Sequence, residues 1–538
     1  MQHRKTYCLI LFVCCVNVAY AQVSKVWVAD NGNGTYNNPI IHADYSDPDA
    51  VRVGDDYYMI SSSFNNVPGL PILHSKDLVN WQLIGHALHR QPPFERFNAV
   101  QHGGGVWAPS IRYHNNEFYI YYPDPDAGIY LTKSKNILGP WTDPILVEGG
   151  KGLIDPCPLW DENNKVYLVH AFAGSRAGFK SIIVVKQMNS EGTKTLDAGV
   201  MVYDGHEKDP TIEGPKFYKR NGYYYIFAPG GGVSTGWQTI LRSKNIYGPY
   251  DRRVVLHQGG TAINGPHQGA WVNTQTGEDW FLHFQDKDAY GRVVHLQPMR
   301  WVNDWPVIGL DADADGKGEP VLLHKKPNVG KTYPIITPAE NDEFNEPKIG
   351  LQWQWQANPQ MGWAFPTSSG TLRMFSVYQP DSSHNLWQLP NILGQKFPAA
   401  AFTARMKLRF APKFIGEKFG LVVLGADYAV ISIEKKKEGL VASYSENIKA
   451  DANGKEVMLA TFPVNGAGDI YLEVKVEKGG ICQFGFSEDG QQFTPIEKKF
   501  TARAGRWVGA KLGFFCVHNN ITNDAGYADV DWFRITGN

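Results

Sequence analysis

Three carboxylates in this chain have neighbours that suit chemistry as well as solvation. Asp47 lies in "SDPDAVRVGDDYY", Asp155 in "IDPCPLW" and Glu213 in "IEGPKFYKRNGYYY". Asp47 precedes Pro48, and proline biases the residue before it toward extended backbone, which limits where the carboxyl can point. Taken alone, each acid reads as a turn or cap residue, because Asp-Pro is a common turn pair. Brought into one concavity they mean something else. One carboxylate can take a proton from water while another carboxylic acid gives a proton to a leaving group. Three carboxylates around one cavity repel each other, so at least one has a raised pKa. The chemistry therefore depends on whether the fold gathers them.

A repeat supplies the means. Five segments share one grammar: "SDPDAVRVGDDYYMISSS" from Ser46, "WAPSIRYHNNEFYIYYP" from Trp107, "IDPCPLWDENNKVYLVHA" from Ile154, "IEGPKFYKRNGYYYIFAPG" from Ile212 and "GPHQGAWVNTQTGEDWFLHFQD" from Gly265. Each opens on a polar or aromatic residue near a proline, runs through a short strand, turns, and continues into a strand rich in Tyr, Phe, Val and Ile. The spacing of roughly 50–60 residues is that of four-stranded propeller blades, and helix-period segments are nearly absent. The expectation is a five-bladed β-propeller within residues 22–325, its repeats beginning near residue 35. The innermost strand of a blade starts beside the central channel. Asp47, Trp107, Asp155, Glu213 and His267, which open the repeats, should then converge.

Composition agrees with many short strands. The 538 residues are 43% hydrophobic and 13% aromatic, with 55 glycines, 33 prolines and a formal charge of −1. That length calls for more than one domain. The charge balance gives no reason to expect nucleic acid or an anionic membrane as partner. Residues 1–21 have a basic start, an apolar run and Ala19-Tyr20-Ala21, the layout of a secretory signal peptide. Export is expected, to the periplasm or cell surface, with Gln22 first in the mature chain. Lipidation at Cys14 or Cys15 is the rival reading. No later apolar run is long enough to span a bilayer. Cys157, Cys482 and Cys516 are scattered and odd in number, so they read as small buried hydrophobes rather than a disulfide framework.

After "GLDADADGKGEP", residues 326–341 read as a linker rich in Pro, Lys and Asn. From about Asp342 to 538 the pattern alternates apolar and polar residues, as in "KFGLVVLGADYAVISIEK", and suggests a jelly-roll, concanavalin-like β-sandwich. This second domain is expected to pack against the propeller and close one side of its open face, with Trp353 and Trp355 as candidate contacts.

The blocks around Asp47, Asp155 and Glu213, with "HGGGVWAPSIRYHNNEFYIYY", "NGPHQGAWV" and "GRVVHLQPMRW", resemble glycoside hydrolase family 43, and the resemblance extends over the whole mature chain. Related five-bladed fructosidases carry Asn-Asp-Pro-Asn, Arg-Asp-Pro and Glu-Cys-Pro blocks, which do not occur here. Cys157 stands where the family more usually has Ser or Ala. The resemblance implies an inverting glycosidase in which Asp47 is the base, Glu213 the acid and Asp155 the carboxylate that orients Glu213 and raises its pKa. It places His267 beneath the site, near a channel water or a structural calcium; no other cofactor is expected. A lone His is more often a satisfied core residue; the resemblance brings the two readings level. Arg292 can face a sugar hydroxyl, reach Asp47, or form a structural ion pair. Trp107 is expected to stack on sugar rather than serve as core, and Phe64 to line the same pocket. The expected activity is exo-acting release of terminal α-L-arabinofuranosyl residues from hemicellulose-derived oligosaccharides, with β-D-xylosidase as the alternative. A propeller that only binds carbohydrate is the reading from a different class.

Overall fold

The computed structural model describes residues 23–379, 385–464 and 468–538; the expected leader over residues 1–21 lies outside them. The chain forms five four-stranded antiparallel sheets in succession, and each sheet is a simple meander. Blade I comprises Asp49–Val53, Asp56–Ile60, Gly69–Ser75 and Trp81–Leu88, and blade II Ser110–His114, Glu117–Asp124, Gly128–Ser134 and Ile145–Gly149. Blade III runs from Leu153–Trp160 to Val200–Asp204, blade IV from Lys216–Arg220 to Asp251–Leu256, and blade V from His267–Asn273 to Trp305–Ile308. This is the expected five-bladed propeller.

The turn chemistry explains the hairpins. Asn115-Asn116 and Asn221-Gly222 join the first two strands of blades II and IV with positive φ at both central residues. Asn and Gly tolerate that conformation, and its twist matches the flanking strands. Apolar residues of neighbouring blades share cores. Val169 and Ile183 of blade III, for instance, are buried in one cluster with Ile226 and Leu241 of blade IV. The ring closes outside the blades, where Thr35–Asn37 pairs antiparallel with Leu323–Lys325. Residues 326–341 form no strand but lie against the protein: Val329 is buried with propeller residues, and buried Glu340 accepts a hydrogen bond from Ser24 Oγ.

The C-terminal half is a sandwich of two eight-stranded sheets. Lys511–His518 lies between Leu393–Lys396 and Lys418–Leu424 in one sheet, and Tyr527–Thr536 between Leu372–Phe375 and Phe402–Ala411 in the other. The main sandwich core takes in Ala289, Tyr290 and Val293 of the propeller, so the two halves share apolar packing. Polar contacts add to the seam. Asn358 Nδ2 donates to Gln91 O, and the Gln91 N–H donates to Asn358 Oδ1. The His102 ring stacks on Trp387.

Trp355 meets the propeller as expected, but through its backbone, whereas Trp353 packs within the sandwich. Trp353 packs on Phe514 and Phe533, and Trp355 on Trp363, inside the sandwich. The seam uses the same strand's backbone and amides instead. Trp355 exchanges backbone hydrogen bonds with Val67, and Gln354 Nε2 donates to Pro68 O. Burying large rings in the core gains more than leaving them at a seam, while a strand edge needs partners for its N–H and C=O groups.

Candidate active site

The first strand of each blade begins near one cavity of about 290 Å³, lined by Asp47, Phe64, Trp107, Asp155, Glu213 and Arg292 among others. His267, which opens the fifth repeat, lies directly behind Glu213, with its Nε2 3.7 Å from Glu213 Oε1. All seven residues singled out in the sequence therefore meet at one place, and Trp507 from the sandwich completes the lining.

Backbone strain gathers here too. Asp47 (φ 56°, not the extended backbone that Pro48 favours), Phe64 (φ 51°), Asp155 (φ 57°), Thr211 (φ 59°), Gln268 (φ 35°) and Trp507 (φ 65°) all occupy the left-handed region, which costs non-glycine residues on the order of 1–3 kcal/mol each. Two of these positions coincide with irregular pairing, between Ile154 and Cys157 in blade III and between His267 and Gly269 in blade V. A bulge there turns a side chain that would alternate along the strand toward the pocket instead.

Asp47 is buried and heavily hydrogen-bonded. Its Oδ2 accepts from Ser46 Oγ at 2.7 Å and Ser62 Oγ at 2.5 Å. The Arg292 guanidinium donates to Oδ1 at 3.1 Å. Arg292 is itself held: its N–H donates to Asp44 Oδ1, and it lies over the Phe284 ring. Of the three roles open to Arg292 in the sequence, contact with Asp47 is the one observed.

Asp155 Oδ2 accepts the Gly214 N–H at 2.7 Å. Burial pushes its pKa up, the Gly214 N–H opposes this, and the nearby Asp47 charge adds to the rise. Glu213 is pushed up as well, first by burial and then by repulsion from Asp155, against the pull of Arg292. Among the described residues its carboxyl accepts no hydrogen bond. Its side chain keeps 26% exposure, but it lines the cavity, so that exposure faces the pocket interior. Gly214 explains the Glu-Gly-Pro step: its φ is +61°, and a Cβ there would lie 2.2 Å from Gln268 Cγ.

His267 is fully buried, and burial, aided by Arg292, pushes its pKa down to about 3. It is therefore neutral and forms no ion pair with Glu213, and 3.7 Å is too long for a hydrogen bond. Both ring nitrogens lack partners among the described residues. The surroundings do not fit the expected calcium. That ion takes six to eight oxygen ligands, whereas a nitrogen, one acid and the Arg292 cation meet here.

Several residues had no sequence signal strong enough to single them out. Ser62 follows the second strand of blade I and binds Asp47. Lys216 is buried in the channel, donating to Pro109 O and Ser110 Oγ; a charged residue opening an innermost strand is the cue that could have found it. Cys157 is buried as expected, but it is not merely a hydrophobe. Its Sγ accepts from Arg112 and from the Phe217 N–H. Trp507 is 43% exposed, stands edge-on to Trp107 with ring centroids 6.1 Å apart, and lies under the Arg292 guanidinium. It also borders a shallower groove with His102, Trp387, Arg503 and Arg506. The loop that carries it is anchored on the propeller, where the Gly509 N–H donates to Asp44 Oδ2 and the Ala510 N–H to Ala289 O.

The model of Glycosyl hydrolases family 43 matches residues 36–306, and that of the Beta xylosidase C-terminal Concanavalin A-like domain matches residues 341–536. The chain belongs to glycosyl hydrolase family 43. A relative from Xylanibacter ruminicola, named Putative beta-xylosidase, is 37% identical over 91% of this chain and 88% of its own length. Another, from Bacteroides ovatus, is named Non-reducing end alpha-L-arabinofuranosidase BoGH43B and is 28% identical over 93% of this chain and 94% of its own. The crystal structure of xylan beta-1,4-xylosidase from Bacillus halodurans C-125 superposes with a TM-score of 0.82 at 25% identity, covering 93% of this chain and 99% of that one. This family 43 chain is thus a glycoside hydrolase acting on oligosaccharides.

Proposed function

We propose that the protein is an inverting, exo-acting pentosidase that removes one terminal sugar from the non-reducing end of hemicellulose-derived oligosaccharides. The observation that carries this is the contrast across the pocket. Glu213 has a raised pKa and no hydrogen-bond donor among the described residues, while Asp47 faces the cavity with three donors on its carboxylate. In this reading Asp47 takes a proton from water, and the water oxygen attacks the anomeric carbon. The glycosidic C–O bond breaks as Glu213 gives its proton to the leaving oxygen. The free sugar has the opposite anomeric configuration, and solvent exchange resets both carboxyls. Asp155 keeps Glu213 protonated and, through the Gly214 N–H, holds its backbone. Trp107 and Phe64 supply apolar faces for the sugar ring. Trp507 closes one side, which favours a chain end over a mid-chain position.

β-D-Xylose is placed first among the pentoses because the relative sharing 37% identity is named Putative beta-xylosidase. The arabinofuranosidase expected from the sequence is the second reading, favoured by the name of the relative at 28%. The leader-like residues 1–21 support action outside the cytoplasm. A panel of nitrophenyl pentosides ranks the two sugars, and NMR of the first-formed product reads its anomer. Inversion is expected; a retained anomer overturns the mechanism.

A further inference from the structure

The loop of residues 311–318, between blade V and the ring-closing strand Leu323–Lys325, takes no part in the chemistry above. Its sequence, Asp311-Ala-Asp313-Ala-Asp315-Gly316, sets carboxylates on alternate residues and a glycine after the third. Calcium loops of the helix–loop–helix type begin with this spacing, the glycine making the sharp turn that lets successive oxygens face one ion. Here one carboxylate oxygen from each of the three aspartates lies within 4.8 Å of the others.

An acidic loop alone would mean little, but Asp311 is not a solvated acid. Its side chain is 3% exposed. Its Oδ1 is buried without a hydrogen-bond partner among the described residues, while its Oδ2 accepts from Arg300 at 3.1 Å. A buried carboxylate oxygen with no partner is costly, and a cation removes that cost. We propose that Asp311, Asp313 and Asp315 form a calcium site, with water completing the coordination. The all-oxygen donor set selects a hard cation over transition metals. The ammonium of Lys317, which is 45% exposed and 2.7 Å from Asp315 Oδ2, gives way to the ion at small cost.

The position gives the site a use. Leu310 and Glu319 exchange backbone hydrogen bonds at the base of the loop. The Gly318 N–H donates to Val255 O in blade IV, and the His257 N–H donates to Gly318 O. A few residues on, Leu323–Lys325 pairs with Thr35–Asn37. An ion in this loop ties blade IV, blade V and the closing strands together, so it stabilises the ring rather than serving catalysis.

The test uses the full chain, stripped of metal with a chelator and desalted. Calorimetric titration with calcium chloride should show one ion per chain with a Kd of about 10⁻³ M or tighter. At roughly tenfold excess over Kd the melting temperature should rise by about 2–4 °C, and magnesium should do less. Asp313→Ala and Asp315→Asn change exposed residues and should fold normally while weakening calcium binding at least about tenfold. The proposal is overturned if no calcium binds up to about 10 mM. It is equally overturned if both variants bind as the parent does, since the ion then sits elsewhere.

Discussion

Asp209 and Glu213 stand on one short segment between blades III and IV, both inside the protein, with opposite surroundings. Asp209 is fully buried and accepts hydrogen bonds from Tyr203, Trp237, Thr239 and both Nε and NH2 of Arg252. Burial alone would raise its pKa, but Arg252, Tyr203, Thr239 and Trp237 together bring it down to about 2. Glu213 has burial without such donors, and Asp155 pushes the same way. One carboxylate is surrounded so as to stay charged and tie strands together; the other is surrounded so as to favour its protonated form, as the proposed acid role requires. The difference lies in the donors that neighbouring strands supply to Asp209 and in the Asp155 carboxylate beside Glu213.

The sharpest way to break this comparison is Glu213→Gln. Hydrolysis of natural linkages should fall about 10²–10⁴-fold, with a much smaller loss on aryl glycosides whose leaving groups need no protonation. Equal losses on both substrate kinds would remove Glu213 from the acid role. The folded Glu213 holds its proton at pH values where the unfolded chain has released it. Its contribution to stability is therefore lost as pH rises above the ordinary carboxylate range toward the folded pKa. The glutamine variant should melt no lower than the parent at pH 5 and higher at pH 8.

Asp209→Ala should do the reverse, costing about 2–4 kcal/mol of stability by stranding Arg252 and three other donors. The folded enzyme's kcat should stay within about twofold of the parent. A large fall in kcat with an unchanged melting curve would show that the two acids are not separate in purpose.

Asp155→Asn sharpens the comparison by removing one cause of the Glu213 shift. With that charge gone the Glu213 pKa drops, so the alkaline limb of kcat/KM should move about one unit toward lower pH. An unmoved limb would leave burial as the whole cause. The smallest effect is expected for Trp507→Ala, where KM for oligosaccharides should rise about tenfold with little change in melting temperature. An unchanged KM would mean that the sandwich wall touches no substrate.

Much of this was legible in the chain. Strand periodicity and turn residues act locally, so Asn115-Asn116 and Asn221-Gly222 declare hairpins wherever they stand. Five hairpins with one grammar declare a propeller, and the residue opening each repeat declares a pocket. That was enough to bring Asp47, Asp155 and Glu213 together on paper. Other features depend on distant partners and leave no local mark. Arg292 reaches Asp47 because Asp44 holds its backbone. Trp507 enters the pocket because Gly509 docks on that same Asp44. Trp353 and Trp355 turn inward because the sandwich core competes for their rings. The opposite pKa shifts of Asp209 and Glu213 likewise depend on what distant strands place beside each: donors around Asp209, burial and Asp155 around Glu213. Local pattern determines the elements; burial and hydrogen bonding between elements far apart in sequence decide what each acid does, because desolvation and donor geometry exist only once the chain has folded.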